Sequence, residues 1–260
     1  MIARHGLNAR RSLGQHFLLD GNLTARIARA AGALEGRHVV EVGPGPGGLT
    51  RALLATGAAD VTVVEIDERA VAAMRELQAD AGTRLRVVAG DAMAFDLAGL
   101  VPAPRQAVAN LPYNLASPLL VGWLRQASLW ERLTLMFQLE VAERICAMPA
   151  SPAYGRLAVL AQWCCGAELR LRIPPAAFVP PPKVWSAVVV LTPHAAQPEA
   201  ALFVTMERLT AAAFGQRRKM LRGALRGLGG EALLERAGIE PERRAETLAV
   251  AEFDRLARLL

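Results

Sequence analysis

Asn110, Leu111, Pro112 and Tyr113 carry the groups that alkylation of an exocyclic amine on a flat heterocycle would need. The lone pair of adenine N6 is delocalised into its ring, which makes the amine a poor nucleophile. The amide oxygen of Asn110 can accept one N–H. The carbonyl of Leu111, held extended because a proline follows, can accept the other. Two acceptors draw the nitrogen towards a tetrahedral shape and localise its lone pair, which is positioning and electrostatics rather than proton removal. The ring of Tyr113 offers a stacking surface. The same run also reads as an ordinary turn, because Asn and Pro both favour turns. Asn114 is read only as a turn residue.

The elements around this run decide between the two readings. From residue 24 onward helical and extended patterns alternate. Helices are predicted over Thr24–Ala33, Leu49–Thr56, Arg69–Gln78 and Glu140–Met148, with one more opened by Ser117 as N-cap and Pro118 at the first helical position. Strands are predicted at His38–Val42, Val61–Glu65, Leu85–Val88, Ala107–Ala109, Leu133–Phe137, Leu169–Ile173 and Trp185–Leu191. Such alternation implies a largely parallel sheet with helices on both faces. Thr192–Pro198 holds two prolines and reads as a linker. The remainder is helical, over Ala201–Ala213, Lys219–Arg226, Glu231–Ala237 and Val250–Leu260. The expected organisation is an α/β domain over 1–194, with a basic arm at 1–22, and a small all-helical domain over 195–260.

In open α/β sheets ligands bind beyond the carboxyl ends of the strands. Four predicted strand ends here carry suitable groups. The first enters the glycine turn Gly43-Pro44-Gly45-Pro46-Gly47-Gly48, where backbone can approach a ligand closely. The second ends at Glu65, 22 residues after Gly43, a carboxylate placed for both hydroxyls of a ribose. The third ends at Asp91, placed to accept from an adenine amino group. The fourth ends at Asn110. The glycine spacing alone also fits a dinucleotide. Glu41 beside the loop suits a sulfonium better than a pyrophosphate, and Asn110–Tyr113 is not a hydride-transfer motif. The series therefore favours S-adenosylmethionine, and Asp67 and Glu68 read as helix-capping acids.

Charge and composition narrow the partners. The chain of 260 residues is 53% apolar, enough for a sizeable core. No apolar run is long enough to cross a bilayer or serve as a leader, so a cytoplasmic enzyme without a membrane partner is expected. Cys146, Cys164 and Cys165 lack metal-ligand spacing and read as reduced, buried thiols, with no metal expected. The formal charge is +6. Arg208, Arg217, Arg218, Lys219, Arg222 and Arg226 form an acid-free block, and residues 1–19 add three arginines without an acid. A basic run is often only a solvated helix face; two such blocks on an otherwise balanced chain favour a nucleic-acid partner.

The chain resembles, nearly end to end, the bacterial small-subunit (16S) ribosomal RNA adenine N6-dimethyltransferases, the dimethyladenosine transferase family linked to kasugamycin sensitivity. The resemblance rests on Leu13–Leu18, the glycine loop, Glu65, Asp91, Asn110–Asn114, Tyr154–Leu157, Phe178–Val184 and Phe214–Lys219. It implies a Rossmann-like methyltransferase sheet in which His16 and Leu18 lie over the cofactor and Gly43, Glu65, Asp91 and Asn110 complete its site. It implies that Tyr113 and Phe178 sandwich the target adenine, although Phe178 before a proline run also reads as a core aromatic. The implied substrate is two adjacent adenosines in a hairpin loop near the 3′ end of small-subunit RNA, within a partly assembled subunit. Expected RNA contacts are Lys183, Arg217, Arg218, Lys219 and Arg222. No protein partner is deducible.

Three positions depart from the pattern. His16 stands where some relatives have Asn, Leu139 where a lysine is usual, and Trp185 where a small or acidic residue is expected. Two other readings compete. DNA adenine methyltransferases usually place Asp where Asn110 stands and carry a base-reading domain. A non-catalytic RNA-binding factor would not need Gly43, Glu65, Asp91 and Asn110 together.

Overall fold

A computed structural model describes residues 4–7, 15–216 and 219–260. Arg217 and Arg218 lie outside these, as do Leu13 and Gly14. The elements in chain order are β1 (Phe17–Leu18), α1 (Gly21–Ala30), β2 (His38–Val42), α2 (Gly48–Leu54), β3 (Asp60–Glu65), α3 (Glu68–Ala81), β4 (Leu85–Ala89), β5 (Arg105–Asn110), α4 (Ala116–Arg125), β6 (Arg132–Gln138), α5 (Leu139–Ile145), α6 (Arg156–Cys164), β7 (Cys165–Ile173), β8 (Phe178–Val179), β9 (Ser186–Pro193), α7 (Ala200–Gly215), α8 (Leu221–Ala224), α9 (Gly230–Arg236) and α10 (Val250–Arg258).

Seven strands form one sheet in the order β4-β3-β2-β5-β6-β9-β7. Strands β2 to β6 run parallel, and β9 joins β6 antiparallel. Val39, Val40, Val61, Val63, Ala107 and Val108 are fully buried, as expected for strands covered on both faces. The order runs outward from β2 to β3 and β4 on one side, and from β5 to β6 on the other. Right-handed crossovers in these opposite directions put α2 and α3 on one face and α4 on the other. A crevice opens where the direction reverses, between the carboxyl ends of β2 and β5.

Helix starts follow local capping. Asp20 accepts from the backbone N–H of Asn22 at 2.8 Å, so α1 begins three residues before Thr24. Helix α4 likewise begins at Ala116, with the Leu119 N–H bonded to the Leu115 carbonyl. Ser117 is therefore inside the first turn rather than its cap. Pro118 is still tolerated there, because first-turn N–H groups have no intrahelical acceptor. Chain direction reverses again at β1, which pairs antiparallel with β8 (Leu18 opposite Phe178) outside the main sheet.

The chain divides into two compact units. Among the described residues, the first holds 4–7, 15–120, 128–142 and 168–192; the second holds 121–127, 143–167, 193–216 and 219–260. The helical unit is thus wider than the expected 195–260. It recruits α6, which packs on α7 and α10. No helix was expected at α6: its buried Ala158, Val159, Leu160 and Ala161 are consecutive, so it shows no amphipathic stripe. Within this unit the Phe214 and Phe253 rings stack at 5.6 Å between centroids. Cys164 and Cys165 are buried and Cys146 half-buried; burial pushes the Cys164 thiol up to about 12, so it stays protonated.

Candidate active site

One cleft in the first unit, with a cavity volume of about 160 Å³, opens at the carboxyl ends of β2, β3, β4 and β5. All four expected strand-end groups line it: Gly43, Glu65, Asp91 and Asn110. Its floor is the turn after β2. Gly43 and Gly45 have φ of +69° and +52°, a region that side chains other than glycine rarely adopt. A Cβ on Gly45 would meet the Phe17 ring at 3.1 Å, so this bare backbone is covered directly by β1.

The carboxylate of Glu65 is fixed by three backbone donors. Oε1 accepts from Ile66 and Asp67, both at 2.9 Å, and Oε2 from Gly45 at 3.2 Å. Burial raises its pKa while these amides oppose the rise. An ionised carboxylate has about four lone-pair sites, so with three in use about one, on Oε2, remains to accept from a hydroxyl. Asp91, at the end of β4, spends one oxygen on the Met93 N–H at 2.9 Å and is otherwise exposed to the cleft.

Glu41 behaves differently. It is buried, with one oxygen accepting from Thr50 Oγ1 at 2.7 Å. Burial, reinforced by the nearby charge of Glu65, pushes its pKa up to about 8. Glu41 is therefore a neutral acid at pH 7, whereas its position beside the loop had suggested a carboxylate facing a sulfonium. Asp67 is the helix cap it was expected to be. It accepts from the Arg69 N–H and ion-pairs with its guanidinium at 2.6 Å, which holds its pKa down to about 2. It also accepts from Gln15 Nε2 at 2.9 Å, which ties the segment before β1 to α3.

At the end of β5 the Asn110 Nδ2 points to the His16 carbonyl at 3.4 Å, leaving Oδ1 as the outward acceptor. Leu111, Pro112 and Tyr113 line the same cleft. The Tyr113 hydroxyl is hydrogen-bonded to Ser186 Oγ at 2.7 Å, which anchors the tip of its ring. Burial raises the Tyr113 pKa, so the phenol stays neutral. His16 and Leu18 both line the cleft. The His16 ring lies 5.6 Å from that of Tyr113, tilted by 30°, and its Nδ1 is 2.8 Å from the Pro180 carbonyl.

A family model described as "Ribosomal RNA adenine dimethylase" matches residues 6–260. The chain belongs to the ribosomal RNA adenine dimethylase family. It is 68% identical over 99% of its length, and 85% of the relative's, to a protein of Gluconobacter oxydans named ribosomal RNA small subunit methyltransferase A. Its structure superposes on that of a Plasmodium falciparum dimethyladenosine transferase with a TM-score of 0.79 and 26% identity, covering 93% of this chain and 96% of the other. The 23S rRNA methyltransferase ErmE gives a TM-score of 0.70 and 28% identity over 94% and 99%.

Membership in the dimethylase family implies S-adenosylmethionine as methyl donor, and the residues present suit it: a bare glycine floor, a preset carboxylate and an apolar rim. Among the described residues no group of His, Cys, Asp or Glu is placed to hold a metal ion. Gln15, Phe17, Ile66 and Ala92 also line the cleft and were not singled out from the dimethylase sequence. Ile66 had a readable signal, an apolar residue directly after the strand-end acid; it is 56% exposed and offers a flat-ring contact. Phe178 departs from expectation. It is 2% exposed, packs in the core cluster and does not line the cleft. Lys183, Lys219 and Arg222 are exposed, with Arg222 paired to Glu242 at 3.0 Å.

Proposed function

We propose that the chain dimethylates N6 of two adjacent adenosines in a hairpin loop near the 3′ end of small-subunit (16S) rRNA, on a subunit still in assembly. The observation that carries this reading is the convergence of Asn110–Tyr113 with Gly43, Glu65 and Asp91 on one cleft. The relative at 68% identity, itself named for the small subunit, supports the choice of RNA over that of the more distant ErmE. The acid-free basic block supports a polyanionic partner, with Lys183, Arg217, Arg218, Lys219 and Arg222 as phosphate contacts. Such a substrate places the enzyme in the cytoplasm.

When bound, S-adenosylmethionine supplies a methyl group on a positively charged sulfur. Glu65 would accept from a ribose hydroxyl with its remaining lone pair. Asp91 accepts from the adenine amino group through its free oxygen, and Ile66 covers a ring face. His16 and Leu18 close the cleft from the side of β1. On the acceptor side Asn110 Oδ1 and the Leu111 carbonyl each take one N–H of the target amine, so its lone pair is localised without a general base. Tyr113 stacks on the target base, and its bond to Ser186 anchors the tip of the ring. Phe178 would reach the base only if its ring left the core, so Tyr113 is the stacking residue of this proposal. A hairpin-loop base is already partly unstacked, which lowers the cost of bringing it out. A second transfer needs only the remaining N–H to face either acceptor.

The test is incubation with labelled S-adenosylmethionine and unmethylated small subunits, followed by mapping of the modified nucleotides. Label on two adjacent adenosines near the 3′ end is expected. Label confined to large-subunit RNA would overturn the proposal.

A further inference from the structure

The carboxyl edge of the sheet has a direction that bears on RNA binding. Following the strand order, Glu65 ends β3, Val42 leads into the glycine floor at β2, and Asn110 ends β5. Beyond Asn110, on the side away from the cofactor groups, come the end of β6 and the start of β9. Gln138 is paired with Ser186 there, and the Leu139 N–H donates to the Trp185 carbonyl at 2.8 Å. The two positions that departed from the family pattern in opposite senses, one losing a cation and one gaining a large ring, are thus neighbours. Trp185 is 48% exposed and Val184 44%, beside the exposed Lys183. Trp combines a large apolar ring with a polar N–H and is enriched at interfaces. Trp185 directly precedes Ser186, whose hydroxyl bonds that of Tyr113, so its backbone lies at the same edge of the sheet as the stacking ring.

We propose that Trp185 is a positioning residue for the RNA: its indole stacks on the unpaired base adjacent to the target adenosine, with Lys183 at that nucleotide's phosphate. The inference rests on the proposed hairpin-loop substrate. A base drawn onto Tyr113 leaves its neighbour unstacked, and in this proposal that neighbour lies on the β6–β9 side, away from the cofactor groups that end β2, β3 and β4. Stacking on an aromatic ring replaces the lost base–base contact and tolerates any base.

Steady-state methylation of unmethylated small subunits by Trp185→Ala, Trp185→Leu and Trp185→Phe tests this. Truncation to Ala and the non-aromatic Leu should each raise KM for subunits about 5- to 150-fold, the range for loss of one base–aromatic stack. Both should leave KM for S-adenosylmethionine unchanged, and Phe should restore most of the loss. On subunits reconstituted with an abasic nucleotide beside the target, wild type and Trp185→Ala should converge. An unchanged subunit KM in Trp185→Leu, or equal values for Leu and Phe, would overturn the stacking role. Absence of methyl transfer to subunits by the wild-type chain would instead overturn the substrate reading beneath it.

Discussion

Replacing Glu41 by Gln should change how stability depends on pH in a calculable way. The folded protein holds the Glu41 carboxyl at about 8, against 4.5 for a free glutamate. Between those values the native state keeps a proton that the unfolded chain has released. Stability then falls as pH rises through this window, because the unfolded state binds fewer protons. At about 1.4 kcal/mol per pH unit, the displacement from 4.5 to about 8 amounts to roughly 5 kcal/mol lost across the window. The carboxamide introduced by Glu41→Gln has nearly the same shape, can still accept from Thr50 Oγ1, and does not titrate. Glu65 is also raised by burial, but it is present in both proteins and largely cancels in their difference. Urea melts of both proteins at about pH 5.5 and 7.5 give that difference directly. The Gln variant should gain on wild type by roughly 3 kcal/mol between these points, with no further gain above pH 8. Parallel stability curves for the two proteins would refute the assignment of Glu41 as a buried neutral acid.

Other expectations follow from the site. Asn110→Ala should abolish methyl transfer while subunit binding, measured by co-sedimentation, stays within a few-fold; full activity would remove Asn110 from the reaction. Gly48→Ala should weaken S-adenosylmethionine binding, because the new Cβ would overlap the Leu18 carbonyl oxygen and displace β1 from the cleft. Calorimetry checks this, and an unchanged affinity would show that β1 is not needed as a cover. Replacing Arg217, Arg218 and Lys219 by Ala should reduce the salt slope of subunit binding by up to about two to three units, if each residue neutralises one phosphate. An unchanged slope would return that block to a solvated surface.

Much of the site was legible because it lies at strand ends. Short apolar runs closing on a glycine, an acid or an amide mark where a parallel sheet stops, and a parallel sheet presents all those stops on one edge. Glu65, Asp91 and Asn110 could be ordered that way from sequence alone. Helix bounds were less legible: Asp20 opened α1 earlier than the apolar period suggested, and α6 has no stripe because it is buried on several sides. Phe178 illustrates the same limit at the site. A phenylalanine before prolines has one appearance in sequence whether it faces a base or a core, and its 2% exposure places it in the core here.

The sequence by itself determined the sheet class, the cleft and the chemistry that its strand-end groups can perform, because these depend on local periodicity and residue type. Tertiary structure decided the state of each group. Glu41 is neutral because the fold removes water from it, and Glu65 is preset because three amides converge on it. Tyr113 is anchored at its hydroxyl by Ser186, 73 residues along the chain. Trp185 and Leu139 became one surface feature only when β9 paired with β6. Solvent exclusion and long-range pairing belong to the packed chain, and no window of sequence contains them.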